Sequence, residues 1–259
     1  MAALLAVLYG IFSYAMFLFT VAYAVGFVGN LWVPKSIDSG ADGLLIQSLI
    51  IDTVLLSIFA IQHSVMARPG FKRVWTRVVP RSIERSTFVL FANLALLLLY
   101  WQWRPILQPI WTVESPLGVT TLNAVFWFGW GLVLASTFLI SHFELFGLTQ
   151  VFALVLGKKS SEPQFRTPLL YRYVRHPLYL GFILAFWSTP SMSAGHLLFS
   201  LATTGYILIA IQFEEHDLTT LFGDQYRRYR EQVSMLLPLR RPVPRDQESA
   251  AAVPAPRSR

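Results

Sequence analysis

Cysteine is absent from all 259 residues, which excludes disulfides, thiolate metal sites and a cysteine nucleophile. Charge is scarce. Asp, Glu, Lys and Arg make up 14% of the chain against 54% hydrophobic residues, and the mean hydropathy is +0.52. That is too little polarity to coat a soluble domain of this size. No second ligand stands at helical spacing from any of the 5 histidines, which removes the usual grounds for a metal site. A basic n-region is also missing ahead of the first apolar run, so residues 1–29 read as a retained span rather than a secretory signal. Nor do the cations line one polar face: the formal charge of +7 falls in short segments between apolar runs, the pattern of cytoplasmic loops and not of a nucleic-acid surface.

What the chain has is apolar length. Runs at 2–28, 44–62, 86–103 and 122–140 are long enough to cross roughly 30 Å of hydrocarbon at about 1.5 Å per residue. Two more, 178–190 and 194–213, predict a helical hairpin, because Pro190 ends a helix and Ser191-Met192-Ser193 leaves room only for a turn. The expected fold is an all-α polytopic membrane protein of five to six transmembrane helices. The stretch Tyr100-Trp101-Gln102-Trp103-Arg104-Pro105 resembles an aromatic belt at a membrane interface. Residues 63–85 carry Arg68, Lys72, Arg73, Arg77, Arg81 and Arg85 with Glu84 as the only acid. The positive-inside rule therefore puts 63–85, 142–177 and the tail from Arg227 in the cytoplasm, and 30–43 and 104–121 outside. Six crossings place both termini inside; a five-crossing version, with a re-entrant hairpin or a peripheral first run, stays open. One domain is expected over 1–241, with N-terminal spans at 1–140 and a ligand-binding part at 141–241. The Pro/Ala-rich segment 242–259 reads as disordered.

Polar residues that enter spanning helices are costly in lipid, and here they gather after residue 140. Tyr171, Arg172, Arg175, His176 and Tyr179 stand just before or within the hairpin's first arm, and Glu214-Glu215 end its second. A hairpin returns the chain to the side it left, so Arg175-His176-Pro177 and the paired glutamates meet at one cytoplasmic mouth. Such a pocket offers a carboxylate for hydroxyls or an ammonium, cationic and amide donors for a carboxylate, and tyrosines to stack on a base. That set suits a zwitterionic adenosine ligand. Taken singly, each residue is equally an interfacial anchor or a helix cap.

These residues resemble the isoprenylcysteine carboxyl methyltransferase family, whose C-terminal pattern is RHPxYxG, a hairpin, then EExxLxxxFGxxYxxY and a proline. The match runs through Arg175-His176-Pro177, Tyr179, Gly181, Glu214-Glu215, Leu218, Phe222-Gly223, Tyr226, Tyr229 and Pro238. The resemblance implies S-adenosylmethionine as cofactor, held by Tyr171, His176, Pro177, Leu178, Tyr179 and Glu214, with Arg175 and Glu215 beside them. One departure is informative: the family's substrate-holding arginine, four residues before the first glutamate, is Ala210 here. An alanine cannot grip a carboxylate, which speaks against a prenylated cysteine as acceptor. Upstream, Gln62-His63-Ser64-Val65-Met66-Ala67-Arg68, Gln102-Trp103-Arg104-Pro105 and Ser141-His142-Phe143-Glu144-Leu145-Phe146-Gly147-Leu148 are similar to a narrower group, the bacterial methanethiol S-methyltransferases. That group shares an NnrU-like N-terminal region. The likeness implies a bacterial inner-membrane enzyme that methylates a small thiol, methanethiol, to dimethyl sulfide.

Methyl transfer from a sulfonium to sulfur is an in-line displacement that needs alignment and exclusion of water. Because a small alkanethiol is mostly protonated at neutral pH, a base would help. His142 and Glu144, after the fourth span, and His63, after the second, are the candidate catalytic residues; for each histidine a structural hydrogen bond at a helix end is the competing role. Two other functions compete. A sterol-reductase-like enzyme would hold NADPH in a related pocket, and a non-enzymatic NnrU-like accessory protein would use the Gln62-His63 region to bind a metal or partner.

Overall fold

The computed structural model describes residues 2–157 and 165–239; the tail expected to be disordered, 242–259, lies outside them. In chain order the described helices are α1 (Ala2–Gly29), α2 (Leu45–Ala67), α3 (Pro69–Trp75), α4 (Arg81–Gln102), α5 (Pro116–Ile140), α6 (His142–Leu145), α7 (Leu148–Val155), α8 (Pro177–Trp187), α9 (Ala194–Phe222) and α10 (Asp224–Gln232). Five of them, α1, α2, α4, α5 and α9, are long and apolar enough to cross a membrane. The chain is an all-α polytopic membrane protein, its regular extended structure among the described residues being the two short strands β1 (Pro109–Thr112) and β2 (Ser191–Ser193). Large apolar side chains on the outer faces, among them Leu4, Leu8 and Phe12 of α1 and Ile46, Ile50 and Val54 of α2, are exposed, as lipid-facing surfaces require.

Local chemistry sets the helix ends. Ser115 Oγ accepts from Gly118 N ahead of Pro116 and starts α5; Ser193 Oγ accepts from His196 N at 3.0 Å and starts α9. Inside, Phe27, Leu99, Trp103, Phe126, Trp130, Phe186 and Phe199 form the main core. The aromatic-belt expectation fails for two of its members: Trp103 is fully buried, its indole N–H given to Ile37 O at 3.0 Å, and Tyr100 stacks on Tyr23. Only Trp101 of the three rings faces outward. Non-local pairing, invisible in a composition count, draws the other two inside: Trp103 to the 30–43 loop and Tyr100 to Tyr23 and Phe27 of α1.

Helices α5 and α8 make the tightest crossing. A Cβ on Gly181 would lie 2.7 Å from Gly129 O, and one on Gly129 would lie 2.7 Å from both Gly181 O and Ala185 N. The glycines let the two backbones touch, with Gly181 and Ala185 in small-xxx-small spacing. The segment read as an inner loop also contains α7, whose Val151 is fully buried and packs on Gly10 of α1.

The hairpin's first arm is helical for only part of its course. At 11 residues, α8 rises about 16 Å, half of what a crossing needs. The chain then continues through residues 188–193, whose last three are not a simple turn but strand β2, paired antiparallel with β1 at Pro109↔Ser193, Trp111↔Met192 and Thr112↔Ser191. The backbone carbonyl freed at the helix end finds partners inside the protein: Phe186 O accepts from His196 Nε2 at 2.9 Å and Ser200 Oγ at 2.7 Å, while the neighbouring Trp187 indole donates to Thr204 at 2.9 Å. That accounting makes non-helical backbone tolerable at membrane depth.

Candidate active site

Before α8 the chain makes a single 3-10 turn, Leu169–Arg172, and runs alongside the segment that follows α10. Arg175 N donates to Ser234 O at 2.8 Å and His176 N to Met235 O at 3.1 Å. Gly223, at φ +58°, separates α9 from α10, a backbone state that glycine adopts at no steric cost. The turn brings Tyr226 and Tyr229 into a buried cluster with Val233, Phe165 and Phe222, and Tyr229 Oη donates to Tyr171 O at 2.6 Å. Sequence-distant segments around 171–176, 214–215 and 226–235 thus converge at one end of the bundle.

The two glutamates have different surroundings. Glu215 is buried at 5% exposure and accepts from Arg175 Nε at 2.7 Å and His176 Nε2 at 3.1 Å, with Arg230 Nε 3.7 Å from its other oxygen. Arg175 Nη1 donates to Arg230 O at 3.0 Å and to Val233 O. This is a clasp that locks the start of α8 to α9 and α10. Glu214 keeps 42% of its side chain accessible and engages Tyr179 Oη at 2.9 Å and His176 Nδ1 at 3.8 Å through one oxygen. It is the carboxylate on the open side of the cluster.

Two phenols complete the ring. The Tyr171 hydroxyl is buried without a hydrogen-bond partner; Ser136 approaches it but donates its own proton to Leu132 O. Burial first, and then the Glu214 carboxylate, push the Tyr171 phenol above its ordinary value. Tyr226 is also buried and unpartnered, and burial, then Glu215, raise it likewise. Both stay protonated, so each holds a donor ready for an anionic or polar ligand.

Of the residues singled out from sequence, Tyr171, Arg175, His176, Tyr179, Glu214 and Glu215 come together, with Pro177 buried at the first position of α8 and Leu178 half-buried behind it. Sequence reasoning missed Arg230 and the 233–235 backbone, whose pairing is non-local and leaves no local signal. His142 lies elsewhere: its hydrogen bonds and ring contacts go to Tyr14 and Phe17 of α1, Thr137 and Phe138 of α5, and Phe143 and Phe146. Thr137 Oγ1 gives its one proton to Leu134 O at 2.7 Å, so His142 Nδ1, 2.8 Å away, must be the donor of that pair. Nε2 then accepts from Tyr14 Oη at 2.8 Å. Both ring nitrogens are committed and the imidazole is neutral.

Burial lowers His142 below its ordinary value. The unfolded chain takes up a proton near pH 6.5 while the folded chain does not, so stability falls as the medium is acidified through and below that pH. Thermal melts in detergent are expected to show this fall in the native protein and a smaller one in His142→Gln; equal slopes would remove the histidine from the account. Glu144 is half-buried, within electrostatic reach of Arg85. His63 sits within α2 rather than in the loop after it, among Phe59, Phe88 and Tyr206.

No protein-family model matches the chain, and no solved structure does. Among proteins of known name, it is 58% identical over 234 residues to the methanethiol S-methyltransferase of Mycobacterium tuberculosis, covering 90% of this chain and 96% of that one. It is 56% identical over 239 residues to methanethiol S-methyltransferase 1 of Bradyrhizobium diazoefficiens, covering 92% and 84%. Nurim of Rattus norvegicus is 30% identical over 199 residues, covering 72% and 74%.

Proposed function

This chain belongs to the methanethiol S-methyltransferase family, and we propose that it uses S-adenosylmethionine to methylate methanethiol to dimethyl sulfide in a bacterial cytoplasmic membrane, with both termini and the ligand mouth on the inner side. The observation that carries the cofactor assignment is the cluster itself: an accessible carboxylate at Glu214, two buried phenolic donors without partners at Tyr171 and Tyr226, and an imidazole at His176 share one end of the bundle. This donor set fits a zwitterionic nucleoside. Glu214 suits the ribose hydroxyls or the ammonium, Tyr171 and Tyr226 suit polar groups on the ligand, and Tyr179 with His176 offers ring faces for the base. When bound, the cofactor supplies an electrophilic methyl on a sulfonium.

Arg175 and Glu215, expected at first to touch the ligand, are better read as the frame that holds His176 and Tyr179 in place, since Arg175 Nε and Nη1 go to Glu215 and two backbone carbonyls and Glu215 Oε1 also holds His176. Positioning is the main service an enzyme gives a displacement of this kind. The dense apolar body beneath the cluster excludes water. Residues 1–241 are read as a single unit, with the spans before residue 140 forming the wall opposite the hairpin.

Membranes containing the protein, supplied with S-adenosylmethionine and methanethiol, are expected to release dimethyl sulfide into the headspace well above control membranes. The purified protein is expected to melt at higher temperature with S-adenosylmethionine and to be indifferent to NADPH. Protection by NADPH alone would favour a reductase, and cofactor binding without dimethyl sulfide would move the reading to another acceptor.

A further inference from the structure

Among the described residues, an unpartnered polar side chain lies outside the cluster, on α2. His63, on α2, makes no hydrogen bond among the described residues, and its Nδ1 is buried. Around the ring stand Phe59 at 5.3 Å and Phe88 at 4.9 Å between centroids, and Tyr206 of α9 at 6.5 Å. Ionisable side chains unpaired at membrane depth are costly, so a box of three aromatic rings around a bare imidazole calls for an occupant.

Helix α9 links this box to the cluster. Tyr206, Ala210 and Glu214 are spaced i, i+4, i+8 and share one face of α9, spanning about 12 Å. Tyr179 lies within electrostatic reach of both Tyr206 and Glu214. Between the two polar residues stands Ala210, the smallest side chain of the three. Ser64 Oγ donates to Tyr206 Oη at 3.4 Å, so the phenol keeps its own proton to give. We propose that the acceptor thiol binds at this junction of α2 and α9, with its alkyl group among Phe59, Phe88 and Ala210, and that His63 is its proton acceptor.

This site rests on the methyltransferase reading and deepens it. An alkanethiol is apolar with one weak donor, which matches an apolar box with one acceptor. The S–H proton passes to His63 Nδ1 while the thiol's electron pair forms the new bond to the methyl carbon. The old carbon–sulfur bond breaks with its pair going to the departing sulfur, leaving two neutral thioethers. The imidazolium then returns its proton to solvent. Tyr206 Oη donates to the sulfur as negative charge gathers there. The charged and titratable groups that face His63 are Arg85 from α4 and Tyr206 from α9.

The test uses the full-length protein in detergent and three variants. Methanethiol alone, without methyl donor, is expected to raise the melting temperature of the native protein and to have no such effect on Ala210→Leu. That variant should lose at least tenfold in kcat/KM for methanethiol while S-adenosylmethionine still protects it. His63→Gln should lose at least tenfold in kcat at neutral pH and the acid limb of the kcat/KM profile, again with cofactor protection intact. Ala210→Gly, which cannot overpack, should shift preference toward propanethiol at least fivefold. Native kinetics and thiol protection in both Ala210→Leu and His63→Gln, or an unchanged thiol preference in Ala210→Gly, would overturn the site and leave only water in the box. Failure of S-adenosylmethionine to protect the native protein would instead overturn the proposed function.

Discussion

Replacing Glu215 with alanine is expected to abolish methyl transfer and to cost about 3–5 kcal/mol of stability, the usual result of removing one partner from a buried ion pair. Arg175 would be left as a guanidinium with only 10% of its side chain accessible and no counterion, and His176 would lose the acceptor 3.1 Å from its Nε2. For a chain of this size each kcal/mol moves the melting temperature by about 2–4 °C, so a fall of roughly 6–20 °C should be seen in detergent. Because the same residues fix the start of α8, S-adenosylmethionine should no longer protect the variant, and activity should drop at least a hundredfold. Glu214→Ala is the control with the opposite balance. Its carboxylate is 42% accessible, so stability should change by no more than about 1 kcal/mol while cofactor protection is lost. If the two variants behave alike, the division into a clasp and a ligand-facing acid is wrong.

Gly181→Val is expected to be as damaging by a different route. Its Cβ would stand 2.7 Å from Gly129 O and 2.9 Å from Val133 N, contacts with backbone that no rotamer change relieves. Overpacking of this kind costs up to about 3 kcal/mol and occasionally more, and relief requires α8 to lift away from α5. His176 and Tyr179 sit at the head of α8 and would move with it. A variant that is made and inserted should melt several degrees lower and show a weakened response to S-adenosylmethionine. Gly131→Val on the same α5, where an added Cβ meets nothing within 4 Å, should leave both measurements near native values. Equal behaviour of the two substitutions would remove the close crossing from the explanation.

The spans were legible because apolar length is a property of the chain alone. Their ends were not. α2 runs on through Gln62, His63 and Ser64 to Ala67, and α9 runs through Glu214, Glu215 and Asp217 to Phe222, well past the apolar runs. Those polar turns are helical because tertiary partners take up their side chains, as Arg68 does for Asp217 at 3.0 Å and Arg175 for Glu215. The convergence of the His-Pro segment with the paired acids was readable from the hairpin, yet the roles within it were not. Arg175 carries a charge in any sequence count; only the geometry reveals that Glu215 and two carbonyls consume it. Strand β2 reads as a turn from Ser191-Met192-Ser193 because its pairing partner lies some 80 residues earlier, at Pro109–Thr112.

That strand pair also fixes the height of the cluster. Helix α8 hangs from β1 by residues 188–193, with the Phe186 carbonyl held by two side chains of α9. An extended residue measures about 3.3 Å, longer than the 3.1 Å that separates His176 from Glu215. A single deletion within this tether would therefore pull the imidazole out of register with its acid, so the strand pair at one end of the bundle dictates the alignment of the cluster at the other.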